Sequence, residues 1–377
     1  MEPIRVLHIV TSLNMGGIEN FIMTNYRNID RTRVQFDFLK HRSSHDYFDD
    51  EVLELGGRIY SVPPINPLKQ KQYNNAVKNF FSEHKQNYSI VHSHINTFSA
   101  YPLQIAKNEG IKVRIAHAHA TTSRLDIKTP FRIYTKKIIK NVITDAFACS
   151  DAAGKWLFGE LPFMIIPNAI NCKDYVFQEE VRQEIRRELG ITDKFVIGMV
   201  ANFKPVKNHS FIIDIFSDIL KRIPNAQLVL VGHGEMQDTV KKNVHEKNLS
   251  NSVLFTGLRK DISRVLQGFD VFVLPSLSEG FPISILEAET VGIPCVASTG
   301  VPNDVKLFDD MNTTFISLED RKKWIEKIAS LYKVERKSWV EEVSTTQYDV
   351  RNSAKSLMNF YEKQYCIVQE QKTHYDL

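Results

Sequence analysis

In the stretch SLSEGFPISILEAE, two carboxylates, Glu279 and Glu287, stand with seven residues between them, and Gly280-Phe281-Pro282 follows the first. Two acids could form a hydrolytic pair if both flanked a scissile bond. Their setting points elsewhere. VFVLP (271–275) reads as a buried strand and ISILEAETVG as a helix, with Pro282 suited to the first helical turn, where a missing N–H costs nothing. Glu279 then stands at the mouth of a strand-to-helix turn, and Glu287 lies well inside the helix, a depth that suits a ribose diol better than a scissile bond. Gly280, Phe281 and Ile283 are placed to offer main-chain N–H groups to a ligand's oxygens. The plainer reading stays open: Glu279 as an acid favoured near a helix start, Glu287 as a solvated helix residue.

Other strand-to-helix turns carry similar signals. In VANFKPVKNHS, Lys204 and Lys207 stand just before a helix N-terminus. An ammonium there is unfavourable unless an anion lies between, and a diphosphate suits the place. The alternative is two solvated lysines. In TSLNMGGIEN, Gly16 and Gly17 let backbone N–H groups approach an anion at a helix start, although the dinucleotide fingerprint G-x-G-x-x-G is absent. A tight turn alone would explain them equally well. In VRIAHAHATTSR, His117 and His119 share one face near a strand's end. A neutral imidazole there can exchange a proton or hydrogen-bond a hydroxyl; the alternative is a core histidine bonded to backbone. His92 and His94 in VHSH have the same form and a weaker claim. VGHGEM and FTGLRKD (255–261) are further glycine turns, and a planar base could meet main chain near Leu258 and Arg259.

Regular elements must hold these turns in place. Candidate strands are 4–10, 34–40, 58–62, 89–94, 113–119 and 145–150, and then 195–200, 227–232, 253–257, 271–275, 294–298 and 313–317. Runs rich in Val, Ile and Phe, separated by helical patterns, indicate parallel sheets covered on both faces. The series restarts near residue 195, after a polar, charged linker at about 168–190. The expected fold class is therefore α/β, with two doubly wound Rossmann-like domains facing across a cleft and ligands at the carboxyl ends of the strands. A helix over 208–222 places Phe211, Ile212, Ile215, Phe216 and Ile219 on one stripe, and a final helix runs from Tyr348 to about Gln369. The spans are 1–170, 171–345 and a terminal segment 346–377 that crosses back to the first domain.

A length of 377 residues suits two domains. Lys plus Arg (48) nearly balance Asp plus Glu (44), and a net charge of +4 argues against bulk nucleic-acid binding. Cys149, Cys172, Cys295 and Cys366 are not at metal-ligand spacing and read as free core thiols of a reducing compartment. The N-terminus lacks the apolar core of a signal peptide, and no apolar run reaches membrane-spanning length. The expected location is cytoplasmic, with peripheral attachment as an addition. Over 124–142, Arg132, Lys136 and Lys140 recur every fourth residue beside Lys137, Ile133, Ile138 and Ile139. Such a helix can lie on an anionic membrane or simply pack on the sheet.

Together the segments resemble the GT-B glycosyltransferases of family 4. The resemblance covers nearly the whole chain in order: the Gly-Gly loop, HAH, IPNAI, KPVKNHSFIIDIF, VGHGE, FTGLRKDI and SEGFPISILEA, the last matching the E-x7-E motif of retaining enzymes. MGGIENFIMTNYRNID and FDFLKH are similar in character to the capsular and exopolysaccharide branch. The resemblance implies a nucleotide-sugar co-substrate, UDP-linked by family habit, a lipid-linked or oligosaccharide acceptor at the inner leaflet, and no metal cofactor. It implies that Glu279 contacts donor-sugar hydroxyls with backbone help from Gly280 and Phe281, and that Glu287 binds the ribose. Lys207 would bind the diphosphate and stabilise the leaving group. Arg259 would border the base, Gly16 and Gly17 would approach the diphosphate or acceptor, and His119, with His117 as alternate, would enter the cleft. One departure stands out: the family usually has an Arg shortly before the Lys, and Asn202 at the matching place lacks the guanidinium fork. Lys204 could substitute as a point charge. The departure leaves a second reading open, a non-catalytic sugar-nucleotide or glycan-binding relative that assists a partner enzyme.

Overall fold

The computed structural model describes residues 2–119 and 129–375. The chain divides into two units, one of Met1–Ala169 with Gln347–Leu377 and one of Ile170–Thr346.

The N-terminal unit is a parallel sheet of β1 (Ile4–Val10), β2 (Val34–Lys40), β3 (Ile59–Ser61), β4 (Ile90–Ser93), β5 (Val113–Ala118), β6 (Asp145–Ala148) and β7 (Met164–Ile165). Their order is β3-β2-β1-β4-β5-β6-β7, so the winding reverses between β1 and β4. The strands are apolar runs because helices cover both faces. Where a polar side chain falls inside, it is paired: buried Asp37 on β2 takes Arg5 and the Tyr88 hydroxyl. Strand β7 escapes sequence detection because it is a two-residue edge, open to solvent. The terminal helix, Val350–Tyr375, belongs to this unit, and its Ala354, Leu357, Met358 and Tyr361 share a core with Val6, Phe36, Phe38 and Phe147.

The C-terminal unit is a second parallel sheet, of β8 (Phe195–Val200), β9 (Ala226–Val231), β10 (Val253–Gly257), β11 (Val271–Leu274), β12 (Cys295–Ser298) and β13 (Thr313–Ile316). The order is β10-β9-β8-β11-β12-β13, with the reversal between β8 and β11. The loops after β8 and β11 therefore leave the sheet in opposite directions, the place where open α/β sheets hold ligands. Helix His209–Arg222 buries the expected stripe of Phe211, Ile212, Ile215, Phe216 and Ile219. The linker region supplies a structural helix, Glu179–Glu188, whose Arg182 and Arg186 clamp Asp270 at 2.5 and 3.2 Å. One expectation is corrected here. Cys149, Cys172 and Cys295 are buried, but Cys366 is exposed on the terminal helix and is not a core thiol.

Candidate active site

In the C-terminal unit, the two loops at the reversal point meet through side chains. Lys207 closes a short 3-10 turn, Pro205–Lys207, and Asn208 with φ of 54° then redirects the chain into the His209–Arg222 helix. Asn tolerates this left-handed conformation better than most residues. Lys207 Nζ reaches Glu279 Oε1 at 2.6 Å. The side chains keep 18% and 11% of their exposure, so the pair is accessible rather than entombed.

Backbone bonds fix the loops that carry it. Leu277 N donates to Val206 O at 2.8 Å, Glu279 N to Gly300 O at 3.0 Å, and Phe203 N to His233 O at 3.1 Å. Glycine is required at two of these crossings. Gly232 has φ of +137°, and an added Cβ would lie 2.1 Å from Ala201 O; at Gly300 it would lie 2.4 Å from Leu277 O. Gly280 is different, because a Cβ there would meet nothing within 4 Å. Phe281 is buried. Pro282 sits one place earlier than expected, as the N-cap of helix Ile283–Val291.

Glu287 is not the solvated helix residue of the plainer reading. Tyr175 Oη donates to Glu287 Oε1 at 2.6 Å. Burial nevertheless pushes the Glu287 carboxyl up to about 7, and the Tyr175 phenol is raised well above 10. Two residues on, buried Glu289 accepts from the Thr313 hydroxyl and is also raised to about 7, again by burial.

Arg259 is engaged by acids. It forms a fork to Asp261 at 2.8 and 2.7 Å and reaches Glu188 Oε1 at 2.9 Å. These acids commit its guanidinium to holding the β10 loop against the Glu179–Glu188 helix. Asn202 and Lys204 are exposed, on a bend closed by Lys204 N to Asn202 O at 2.8 Å.

In the N-terminal unit, the loop after β1 is pinned by buried Asp46, which accepts from Leu13 N and Asn14 Nδ2, each at 2.8 Å. Helix Gly17–Asn28 follows, with Gly16 as its extended N-cap. A Cβ on Gly16 would press on the Glu19 carboxylate, whereas Gly17 faces open space. Phe21 of this helix packs edge-on against His117 and His119 at 5.0 and 5.3 Å between ring centroids.

Those two histidines belong to a cluster of five. His8 Nδ1 and His94 Nε2 are 2.9 Å apart, as are His94 Nδ1 and His119 Nε2. His117 Nδ1 lies 3.3 Å from His92 Nε2, and His92 Nδ1 lies 2.7 Å from Tyr361 Oη. The alternate role of His117 is corrected: it has no exposed surface and is a core histidine. His119, just past the end of β5, keeps partial exposure. Burial lowers its pKa to about 3, so it is a neutral imidazole and a poor base. Among the described residues, His8-His92-His94 and His94-His117-His119 are the sets with ring nitrogens close enough to consider a shared metal.

The basic stretch is only partly described, since 124–128 lie outside the described residues. Helix Thr129–Val142 buries Thr135, Ile139 and Val142 and exposes Phe131, Ile133, Tyr134, Lys137 and Lys140. Lys136 stacks over Trp156 at 4.8 Å.

A family model described as "Glycosyl transferases group 1" matches residues 181–344. The chain is 31% identical over 370 residues to the protein named "Putative glycosyltransferase EpsF" of Bacillus subtilis, covering 95% of this chain and 96% of that one. This chain belongs to the group 1 glycosyltransferases. It is also 26% identical over 346 residues, 87% of each chain, to the Escherichia coli UDP-Gal:alpha-D-GlcNAc-diphosphoundecaprenol alpha-1,3-galactosyltransferase. Anabaena HepE, solved in complex with UDP and glucose, superposes with a TM-score of 0.72 at 18% identity, over 99% of this chain and 100% of that one. The glycosyltransferase thus has the two-domain GT-B fold.

Three residues of this glycosyltransferase escaped the sequence reading. Tyr175 lies 112 positions from Glu287. His8 is hidden inside the apolar run IRVLHIV. Buried His209 stacks on Phe203 at 4.1 Å, and neither ring nitrogen has a partner among the described residues; burial first, then Lys207, lowers its pKa to about 4.

Proposed function

We propose that this glycosyltransferase is a retaining family 4 enzyme that moves a sugar from a nucleotide-sugar, UDP-linked in the first instance, to a lipid-linked glycan in capsule or exopolysaccharide synthesis. The observation that carries this reading is the Lys207–Glu279 contact at 2.6 Å where the loops after β8 and β11 diverge. An ammonium beside the N-terminus of the His209–Arg222 helix stabilises charge as it develops on a leaving diphosphate. Glu279 takes the hydroxyls of the donor sugar, with Gly280 and Phe281 giving backbone N–H groups, and ionised Glu287 takes the ribose diol. Asn202 borders the diphosphate in place of the usual Arg. Arg259 holds the loop next to the base through its ion pairs. Gly16 and Gly17 offer backbone to the diphosphate or acceptor, and His119 hydrogen-bonds a sugar oxygen. With Lys207 neutralising the diphosphate, no divalent metal is needed.

The choice of donor and acceptor class draws on the relatives. The Escherichia coli relative is named for UDP-Gal and a diphosphoundecaprenol acceptor, and HepE was solved with UDP and UDP-glucose. The N-terminal unit would take the acceptor and the C-terminal unit the donor. Among the described residues no helix is long and apolar enough to cross a membrane. We place the enzyme on the cytoplasmic membrane face, held by the exposed Phe131, Ile133, Tyr134 and Lys137.

A non-catalytic binding role is the second reading, favoured only by exposed Asn202. Calorimetry against UDP-, GDP- and ADP-sugars, followed by sugar release and transfer assays of wild type and Glu279→Ala, separates the two. The enzyme reading requires turnover by wild type that Glu279→Ala loses. Equal background release from both proteins would leave only the binding role.

A further inference from the structure

We propose that His8 and His94 are positioning residues that hold His119 as a neutral Nδ1–H donor at the carboxyl end of β5, aimed at an oxygen of the sugar substrate. The identity of that oxygen rests on the function proposed above; the proton arrangement does not.

A neutral imidazole has one N–H and one lone pair. His8, His94 and His119 form a row joined by two ring-to-ring contacts of 2.9 Å. Every proton in such a row must point the same way, so one end decides the whole. At the inner end, His8 Nε2 is buried and has no partner among the described residues. A bare nitrogen there loses one acceptor contact. An N–H there would be an orphaned buried donor, the rarer and costlier defect. The proton of His8 therefore sits on Nδ1 and is donated to His94 Nε2. His94 in turn donates from Nδ1 to His119 Nε2. His119 is left with its proton on Nδ1, which no described residue takes up.

Burial supports the neutral state of all three rings, since it lowers His8 and His119 to about 3 and His94 well below its usual value. Free imidazole side chains favour the Nε2–H form, so the opposite form on His119 is imposed by the row. The neighbouring row starts the same way, since His117 Nε2 is also buried without a partner among the described residues, but it ends inside the core, where His92 Nδ1 meets the Tyr361 hydroxyl at 2.7 Å. A shared metal fits less well. His117 and His119 stack at 4.0 Å and 22°, and His92 and His94 at 4.2 Å and 28°, whereas imidazoles on one ion point edge-on at it from about 2.0–2.1 Å and fan apart.

The test uses the full-length protein labelled with ¹⁵N in its histidine rings. Long-range ¹H–¹⁵N correlation at pH 7.5 reads the tautomer of each ring, with His119→Gln identifying the His119 signals. The expected result is Nδ1–H on His8, His94 and His119. His94→Asp puts an acceptor where the donor stood, so it should move the His119 proton to Nε2 and lower kcat by about tenfold or more, with the donor KM within about twofold. In His94→Asn the amide nitrogen stands in for Nδ1; this variant should keep His119 Nδ1–H and most of kcat. Circular dichroism confirms that both variants fold, and the wild-type spectrum decides the matter if one does not. Nε2–H on His119 in the wild type, or stoichiometric zinc taken up by the purified protein from zinc chloride, would overturn the proposal. Correct tautomers in a protein that transfers no sugar would uphold the row and sink the function instead.

Discussion

Tyr175 Oη donates to Glu287 Oε1 at 2.6 Å, tying the turn just after the boundary between the units to the helix that follows Glu279. The bond favours the ionised carboxyl, while burial favours the protonated one and prevails, leaving Glu287 at about 7. A ribose diol is best held by the carboxylate. UDP affinity should therefore weaken as pH falls below about 7, approaching tenfold per pH unit well below it. Tyr175→Phe removes the bond that aids ionisation and raises the carboxyl further. Its UDP affinity should be lower by about three- to tenfold at pH 7 and converge on wild type near pH 9. Calorimetric titration across pH checks both. A pH-independent UDP affinity would remove Glu287 from the ribose.

The same carboxyl costs stability. Folding raises Glu287 from 4.5 to about 7, so the folded protein holds the proton more tightly than the unfolded chain does. Its stabilising share is complete below pH 4.5, declines as pH rises toward about 7, and is gone above that. Glu287→Gln keeps an acceptor for Tyr175 and avoids the buried charge. This variant should be more stable than wild type by about 1–3 kcal/mol at pH 8, and alike at pH 4.5. Urea midpoints at the two pH values measure it. Higher stability with weaker UDP binding in one variant is the mark of a carboxylate kept for its ligand.

The sequence shows which turns bring polar side chains to one end of a sheet more readily than what each side chain touches. The places of Glu279 and Lys207 in strand-to-helix turns were legible because a buried strand, a glycine or proline turn and an amphipathic helix follow in order, and parallel sheets put such turns at one end. Their mutual contact was not legible, since it depends on strand order β8-β11. Period-two spacing put His117 and His119 on one face, but only the end of β5 at Ala118 decides which is entombed. Arg259 looked available because Glu188, 71 positions earlier in the chain, gives no local sign that it will reach it. His8 was masked by its apolar neighbours, and β7 is too short to carry any period.

Lys207 and Glu279 should matter far more to catalysis than to folding. Their ion pair is partly exposed, and such pairs contribute about 0–1 kcal/mol. Lys207→Met and Glu279→Gln should each lower kcat by about 10²–10³ with thermal midpoints near wild type. If the ammonium supplies the cation the diphosphate needs, as proposed, treatment with EDTA followed by gel filtration should leave wild-type transfer unchanged. Loss of activity restored by magnesium or manganese would show that Lys207 is not enough.

The exposed face of the Thr129–Val142 helix predicts membrane behaviour. Ile133 and Tyr134 are 55% and 57% exposed, beside exposed Lys137. Ile133→Asp with Tyr134→Asp should abolish sedimentation with vesicles containing phosphatidylglycerol while leaving donor hydrolysis intact. Lys137→Glu should weaken binding and flatten its salt dependence. Equal sedimentation with anionic and neutral vesicles would argue for a helix that merely covers the sheet.

Glycines separate the space a ligand needs from the space the fold needs. A Cβ on Gly17 or Gly280 meets nothing within 4 Å, so Gly17→Ala and Gly280→Ala should fold with unchanged thermal midpoints. If substrate oxygens approach these backbones, both variants should bind or turn over substrate more weakly. Gly232 and Gly300 make the opposite case. Alanine at 232 must adopt a φ of +137° and lie 2.1 Å from Ala201 O, and alanine at 300 must push Leu277 O from 2.4 Å. Both are backbone clashes that no rotamer relieves, and each should cost about 1–3 kcal/mol. Gly300→Ala should also lower kcat, because Glu279 N is bonded to Gly300 O at 3.0 Å and moves with it. Thermal melts paired with kcat and KM for the four variants test the division. Full activity in Gly280→Ala would place the donor sugar away from this turn.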